Sequence, residues 1–211
     1  MKRALTVKNV IDRKYETLKL SGEFYEAFGE VEKTGVWFIW GSSGSGKSSF
    51  SMQLCEELCN HGKVVYNSLE EGTGLTFQER LKRVDTQKMQ RRFTVVSEDM
   101  KTLSERLKKR RSADFIVIDS IQYTGMTYPE YVKFKEKHQN KLLIFVSHAD
   151  GRRPSGRSAK SVMFDANLKI FIEGFRAFSN GRFIGSNGGI YTIWKEGAWK
   201  FWGEESLKIK N

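Results

Sequence analysis

The chain has 211 residues, of which 39% are hydrophobic and 13% aromatic, and it contains only two Pro. That length and composition suit one well-packed domain spanning 1–211 and argue against a disordered chain. The formal net charge is +11. Such an excess suggests an anionic partner, which composition alone leaves open among nucleic acid, lipid headgroups and nucleotide, with nucleic acid favoured. Basic faces that only contact solvent are the alternative interpretation.

No apolar run approaches the roughly 20 residues of a membrane span, and the N-terminus lacks the apolar core of a secretory signal. We therefore expect a cytoplasmic protein with no membrane partner. Cys55 and Cys59 lie four residues apart on an apolar helix pattern. Two thiols on one helix face cannot form a four-ligand metal site, so buried free thiols are predicted.

Residues 1–35 have a mixed pattern and are treated as a lead-in to the core, which we assign to 36–148. Short apolar runs in the core predict strands at Val36–Trp40, Val64–Tyr66, Phe93–Val96, Phe115–Ile118 and Leu142–Val146. Amphipathic intervals between them predict helices at Ser49–His61, Leu75–Val84, Thr102–Arg111 and Tyr128–His138. This alternation predicts an α/β fold with a mostly parallel twisted sheet and helices on both faces.

The pattern changes after the core. Residues 149–163 are basic, with their cations spread among Gly, Ser and Pro, and we assign them to a separate segment. Within 164–211, strand-like runs separated by Gly/Asn turns predict an antiparallel β extension. These runs are Leu168–Ile172, Phe175–Ile184, Ile190–Trp194 and Trp199–Trp202.

A complete Walker A motif follows the strand predicted at Val36–Trp40 and leads into a predicted helix. Its glycines allow a tight turn whose N–H groups face phosphates, its lysine supplies a positive charge, and its last serine offers a hydroxyl to Mg²⁺. The predicted nucleotide-binding residues are Gly41, Ser42, Ser43, Gly44, Ser45, Gly46, Lys47 and Ser48, with Ser49 as a weaker candidate. ATP and Mg²⁺ are therefore the expected cofactors.

Carboxylates follow two of the predicted strands. Asp119 ends the apolar run Phe115–Ile118 in the manner of a Walker B segment, and with Ser48 it is the predicted magnesium ligand. Glu70 and Glu71 follow the second strand, at the edge where doubly wound sheets bind their ligands. Either one could polarise the attacking water, and an exposed acidic turn is the alternative interpretation.

The order of these motifs resembles the RecA-like ATPases, especially the RadA/Sms and DnaB-helicase branch, from about Tyr15 to Trp202. The resemblance implies the three-layer RecA-like fold. The segment Tyr66–Gly72, read Tyr-Asn-Ser-Leu-Glu-Glu-Gly, implies that the first carboxylate, Glu70, is catalytic. The segment Ile118–Gln122 resembles that branch's Walker B strand with its polar tail.

Later residues extend the resemblance. His148 matches a polar strand-end residue that senses the γ-phosphate and relays its presence to the next loop. The basic segment 149–163 lies where the family has its mobile second DNA-binding loop, which implies a basic mobile loop here. Its predicted phosphate contacts are Arg152, Arg153, Arg157 and Lys160, and a solvated basic loop is the alternative interpretation. Arg182 resembles a trans-acting arginine finger, although Asn180 replaces a lysine there and one extra residue follows Phe183. The alternatives are that Arg176 is the finger or that neither arginine is.

The expected function is therefore a DNA-dependent ATPase in recombination, repair or replication, of a size typical of a viral or mobile-element version. It would act on single-stranded DNA as a homo-oligomeric ring or filament. A nucleotide-dependent assembly or signalling switch that binds protein is the first alternative. A small-molecule kinase is the second.

Overall fold

The computed structural model describes residues 4–203, and its first elements form a small unit ahead of the main sheet. Strands β1 (Thr17–Lys19) and β2 (Glu30–Glu32) pair in antiparallel fashion, while helix α1 (Val7–Ile11) precedes them and helix α2 (Gly22–Phe28) connects them. Ser21, at the start of α2, donates through its backbone N and its Oγ to the buried carboxylate of Glu57, at 2.7 and 2.6 Å. This pair of hydrogen bonds fixes the lead-in to the core.

A nine-stranded sheet with a parallel centre forms the middle layer. Its spatial order is β11-β10-β9-β3-β7-β6-β4-β5, with β8 paired to the end of β7. The parallel strands are β3 (Gly35–Gly41), β4 (Val64–Ser68), β5 (Phe93–Val96), β6 (Phe115–Asp119), β7 (Leu142–Asp150) and β9 (Leu168–Glu173). The antiparallel strands are β8 (Arg153–Pro154), β10 (Arg176–Ser179) and β11 (Ile190–Thr192).

Helices cover both faces of this sheet, because its central strands are apolar on both sides. Along β3, Trp37 and Ile39 join the core beneath one layer of helices. That layer contains α2, α3 (Lys47–Leu58), α4 (Leu75–Leu81) and α5 (Thr86–Met89). The alternate residues Phe38 and Trp40 join the core beneath α6 (Met100–Lys108), α7 (Tyr128–Lys137) and α8 (Arg157–Asp165). The predicted three-layer α/β fold is confirmed, as are the five core strands and four core helices.

The predicted antiparallel extension is present, but its extent and composition differ from the prediction. The run Leu168–Ile172 lies in the parallel part of the sheet, beside β3. The run Trp199–Trp202 was predicted as a strand and is instead helical, as part of α9 (Lys195–Trp202). Four aromatic and polar residues are too few to distinguish the two periods. The small residues Gly197 and Ala198 are the ones that α9 buries, which lets it pack closely.

The basic segment 149–163 is regular over most of its length, which corrects the prediction of a loop. Residues Ala149 and Asp150 pair with Pro154 and Arg153 in a hairpin, and α8 begins at Arg157. The hairpin turn includes Gly151, with a φ of 59°. Arg157 and Lys160 therefore project from a helix that packs on the sheet, while Arg152 and Arg153 lie on the hairpin.

Two smaller expectations concern the thiols and the membrane. Cys55 and Cys59 are both buried and free, as predicted. Within 4–203, no helix has the length and apolar character needed to cross a membrane.

Candidate active site

The Walker A residues form a tight loop between the end of β3 and the start of α3. Gly41 tolerates no side chain, because an added Cβ would lie 2.4 Å from the carbonyl oxygen of Ile172 on the neighbouring strand. Gly46 has a φ of 105° at the position before the helix, a conformation that side chains disfavour. These glycines allow the loop to turn directly into α3, whose first-turn N–H groups have no partners within the helix. An anion-binding helix N-terminus results.

The cleft beside this loop has a volume of about 620 Å³. Lys47 lies at its base and donates from Nζ to the Ser42 carbonyl at 2.7 Å. Burial lowers the pKa of Lys47, and the nearby carboxylates Asp119 and Glu70 partly oppose that effect. The predicted residues that line the cleft are Ser43, Gly44, Gly46, Lys47, Ser48, Ser49, Glu70, Glu71, Asp119 and His148.

Asp119 ends β6 with its side chain on the same sheet face as α3. Burial raises the pKa of this carboxyl, and a hydrogen bond from the Tyr66 hydroxyl acts in the opposite direction. Its backbone carbonyl accepts from the N–H groups of Leu69 and Glu70, at 2.7 and 3.2 Å. Asp119 therefore fixes the backbone position of the neighbouring acidic pair.

The two acidic residues after β4 have different partners, which separates their roles. Glu70 Oε2 lies 3.1 Å from Nε2 of His148, and both side chains are about one-third exposed in the cleft. Glu71 forms an ion pair with Arg80 of α4. Glu70 is thus positioned by the residue at the end of β7, whereas Glu71 is neutralised by an arginine.

The donor set of the cleft fits a magnesium ion that is shared with phosphates. Within 4–203, no group of three or more His, Cys, Asp or Glu could hold a metal ion unaided. Mg²⁺ is commonly bound by one or two carboxylates together with substrate phosphates. Asp119 and the Ser48 hydroxyl supply such ligands. The buried Oγ of Ser120, a residue that lines the cleft, also has no hydrogen-bond partner among the described residues, as expected of a polar group that a ligand satisfies.

A second, more apolar cavity of about 540 Å³ adjoins the cleft and shares four lining residues with it. The shared residues are Ser49, Arg80, Arg83 and Phe175, and the remaining lining residues are Met52, Gln53, Val84, Ile193 and Trp194. The rings of Phe175 and Trp194 meet edge to face at 5.0 Å. The sequence analysis missed Phe175 and Trp194, because β9, β10 and α9 bring them to the Walker A loop from more than 120 residues away.

His148 connects the cleft to the basic hairpin through Gln122. The Gln122 side chain accepts from the His148 N–H at 3.3 Å and donates to the Ser147 hydroxyl and the Ser155 carbonyl, at 2.8 and 2.9 Å. Ser155 N in turn donates to the His148 carbonyl at 2.9 Å. The backbone after the hairpin is thus hydrogen-bonded to the strand end that contacts Glu70.

The four predicted DNA contacts lie on this hairpin and the helix after it, and all are exposed. Arg152 also has partners within the chain, since it lies 3.2 Å from Glu173 and stacks over Phe171. Arg153 is in β8, and Arg157 and Lys160 are in α8. None of the four lines the nucleotide cleft.

The two candidate finger residues differ in accessibility. Arg176 is buried, with its guanidinium over the ring of Trp202 at 5.6 Å, so it is not available to another subunit. Arg182 is exposed in the segment between β10 and β11. Nearby, Asn180 N donates to the Lys169 carbonyl at the start of β9, which places Arg182 at the sheet edge opposite the Walker A loop. Arg182 cannot reach its own cleft from there.

Comparison with known proteins agrees with this architecture. Residues 29–125, just under half of the chain, match the family model described as an AAA domain. The structure is similar to a KaiC-like protein from the hyperthermophilic archaeon Pyrococcus horikoshii OT3, with a TM-score of 0.55 and 18% identity over 81% of this chain and 88% of that one. The fold is therefore RecA-like.

Neither comparison supports the RadA/Sms and DnaB-helicase branch in particular. No protein of curated function matches the sequence. The fold is widespread, since 611 solved chains match it, and a fold of this kind does not determine its own partner or process. The function must therefore be argued from the cleft and the surfaces around it.

The different partners of Glu70 and Glu71 predict different effects of removing each charge. We expect Glu70→Gln to retain ATP binding and to lower hydrolysis by about 100-fold or more, the usual contribution of a positioned base. Glu71→Gln, which removes the same charge one residue away, should alter hydrolysis far less. Phosphate release and binding of a fluorescent ATP analogue would be measured for both. The assignment would be wrong by one residue if Glu71→Gln alone abolished turnover.

Proposed function

We propose that this protein binds and hydrolyses ATP with Mg²⁺ at the cleft beside the Walker A loop. The observation that supports this most strongly is the convergence of Lys47, Glu70 and Asp119 at one sheet edge, each from a different strand end. A cation, a metal-binding carboxylate and a second carboxylate with a histidine partner are the groups that phosphoryl transfer to water requires. When bound, Mg²⁺ would neutralise charge on the phosphates.

In this proposal, different residues bind the phosphates and activate the attacking water. The α3 N-terminus and Lys47 bind the phosphates and offset their charge. Glu70 orients the attacking water and accepts its proton, and His148 holds the Glu70 carboxylate in place at 3.1 Å. Because His148 also lies beside the cleft, it is the residue through which phosphate contacts would alter the position of Gln122.

The adjoining cavity is suited to the nucleoside. It is bounded by the aromatic rings of Phe175 and Trp194 and by the guanidinium groups of Arg80 and Arg83, and it opens from the phosphate cleft. Flat apolar rings and arginine planes favour stacking with a base. We assign the base and ribose to this cavity.

We further propose that the anionic partner is single-stranded DNA, bound along the basic surface defined by Arg152, Arg153, Arg157 and Lys160. This surface adjoins the end of β7 and is linked to His148 by Gln122 and Ser155. A basic surface of this kind binds phosphates without reading sequence. The resemblance to the RadA/Sms and DnaB branch supports the same placement. Recombination, repair or replication is the corresponding process.

The position of Arg182 supports a homo-oligomer. An exposed arginine at the opposite sheet edge has no access to its own nucleotide, but a head-to-tail neighbour would bring it to another subunit's cleft. There it would stabilise the charge that develops on the γ-phosphate. A ring and a filament both satisfy this requirement.

Single-stranded DNA is expected to stimulate phosphate release by the wild-type protein. Replacing Gln122 with Ala should reduce that stimulation while the unstimulated rate persists, because Gln122 connects the hairpin to His148 without lining the cleft. The measurement is the ATPase rate with and without an oligonucleotide. Equal rates with and without DNA in the wild-type protein would favour the alternative of a switch that binds protein.

DNA binding should be tolerant of sequence and should weaken steeply with salt. In the triple variant Arg152→Gln, Arg153→Gln and Arg157→Gln, the slope of log affinity against log salt should become shallower. The change should correspond to the loss of up to about three phosphate contacts. Its matched control is Lys108→Gln, Lys109→Gln and Arg110→Gln, which removes the same charge at the exposed end of α6. If only the control flattened the slope, the DNA site would lie at α6.

The trans role of Arg182 predicts complementation between inactive subunits. Lys47→Ala and Arg182→Ala proteins should each be inactive, and mixing them should restore part of the hydrolysis, because some interfaces would pair an intact Walker loop with an intact arginine. Phosphate release would be followed against the mixing ratio, with Lys195→Ala, which removes another exposed cation, as the control. Full activity of Arg182→Ala alone would exclude the role.

A further inference from the structure

Tyr66 is a buried residue whose hydroxyl contacts a residue of the candidate active site. It lies on β4, fully enclosed, with its ring edge-to-face with Phe77 at 5.4 Å. Its hydroxyl donates a hydrogen bond to Oδ2 of Asp119 on the adjacent strand β6. Since the ring alone would fill the core, the hydroxyl requires a separate explanation.

Resting on the proposed function, we infer that Tyr66 is a positioning residue for the metal ligand Asp119. A carboxylate that accepts a hydrogen bond at one oxygen is restricted in rotation, and its other oxygen needs no partner from Tyr66, in a residue that lines the cleft. Residues behind a metal ligand commonly set its orientation in this way, and their loss reduces metal affinity by about 10- to 100-fold. The phenol supplies this contact from inside the core, where no water competes.

The hydrogen bond between Tyr66 and Asp119 is also linked to the catalytic carboxylate Glu70, through backbone hydrogen bonds. The carbonyl of Asp119 accepts from Glu70 N at 3.2 Å and from Leu69 N at 2.7 Å. Tyr66 is four residues before Glu70 on the same strand and turn. Its hydroxyl therefore completes a closed path that starts at β4, crosses to the Asp119 side chain, and returns through the Asp119 carbonyl to Glu70. The metal ligand and the base are held relative to each other by this path.

The chain contains a matched control for the interaction. Tyr131 of α7 is also buried, and its hydroxyl donates to Oδ2 of Asp165 at 2.5 Å, on the sheet face away from the cleft. Tyr131→Phe and Tyr66→Phe thus each remove one buried phenol–carboxylate hydrogen bond without changing ring volume. Any general effect of that loss on stability should be shared by both variants, whereas an effect on metal binding should be confined to Tyr66.

The test measures how much Mg²⁺ strengthens the binding of a fluorescent ATP analogue, compared with binding in EDTA. We call the ratio of the affinity with Mg²⁺ to the affinity in EDTA the gain. For Tyr66→Phe we expect this gain to fall about tenfold or more, with affinity in EDTA unchanged. Tyr131→Phe should keep the wild-type gain. Thermal unfolding of both variants checks folding. An undiminished gain in Tyr66→Phe would overturn the inference alone, whereas no gain in the wild-type protein would overturn both it and the proposed function.

A second variant covers the case in which Tyr66→Phe does not fold. Site-specific 3-fluorotyrosine at position 66 keeps the ring and the hydroxyl and changes the strength of the donor. We expect the Mg²⁺ concentration for half-maximal gain to shift in this protein and to stay constant with 3-fluorotyrosine at position 131. The same Mg²⁺ dependence at both positions would contradict a positioning role.

Discussion

The central position of β3 is the constraint on which the site depends. This strand lies between β7 and β9, so its carboxyl end places the Walker A loop at the middle of the sheet edge. Parallel strands end at the same edge, and β4, β6 and β7 therefore deliver Glu70, Asp119 and His148 around the loop. Gly41 makes this possible, since any side chain would collide with the backbone of β9. The cleft therefore depends on the order of the strands and on Gly41, which has no Cβ.

The surroundings of the cleft explain how ATP could be linked to a distant partner. Glu70 contacts His148, and the backbone of His148 is hydrogen-bonded to Gln122 and Ser155 beside the basic hairpin. These groups are polar and directional, so a small displacement of His148 changes hydrogen-bond geometry at the hairpin. Behind the cleft, the core around Tyr66 is buried and aromatic. Under the proposed assignment, Tyr66 holds the metal ligand Asp119 from the core side, and the partly exposed His148 contacts Glu70 on the solvent side.

Local sequence patterns predicted the core strands and the Walker A loop well, and the elements after the core less well. Five apolar runs and a contiguous motif fixed β3 to β7 and the Walker A loop, because each depends on residues close in sequence. The run Trp199–Trp202 is rich in the aromatic residues typical of strands, yet the small pair Gly197 and Ala198 and the packing of Trp202 on Phe178 favour a helix. Phe175, Trp194 and Arg80 could not be recognised as lining the cleft or its adjoining cavity, since only tertiary packing brings them together. The burial of Arg176, the alternative finger, could not be predicted either, because it depends on packing against Trp202.

The most direct test of ATP hydrolysis at this cleft is steady-state phosphate release by wild-type protein and by Lys47→Ala with MgATP. Lys47→Ala should have no detectable turnover and an unchanged unfolding temperature without nucleotide, because the substitution removes the charge that compensates the triphosphate and no core contact. Lys101→Ala, at an exposed position on α6, should keep full turnover. Hydrolysis by Lys47→Ala at the wild-type rate would contradict the assignment of the active site.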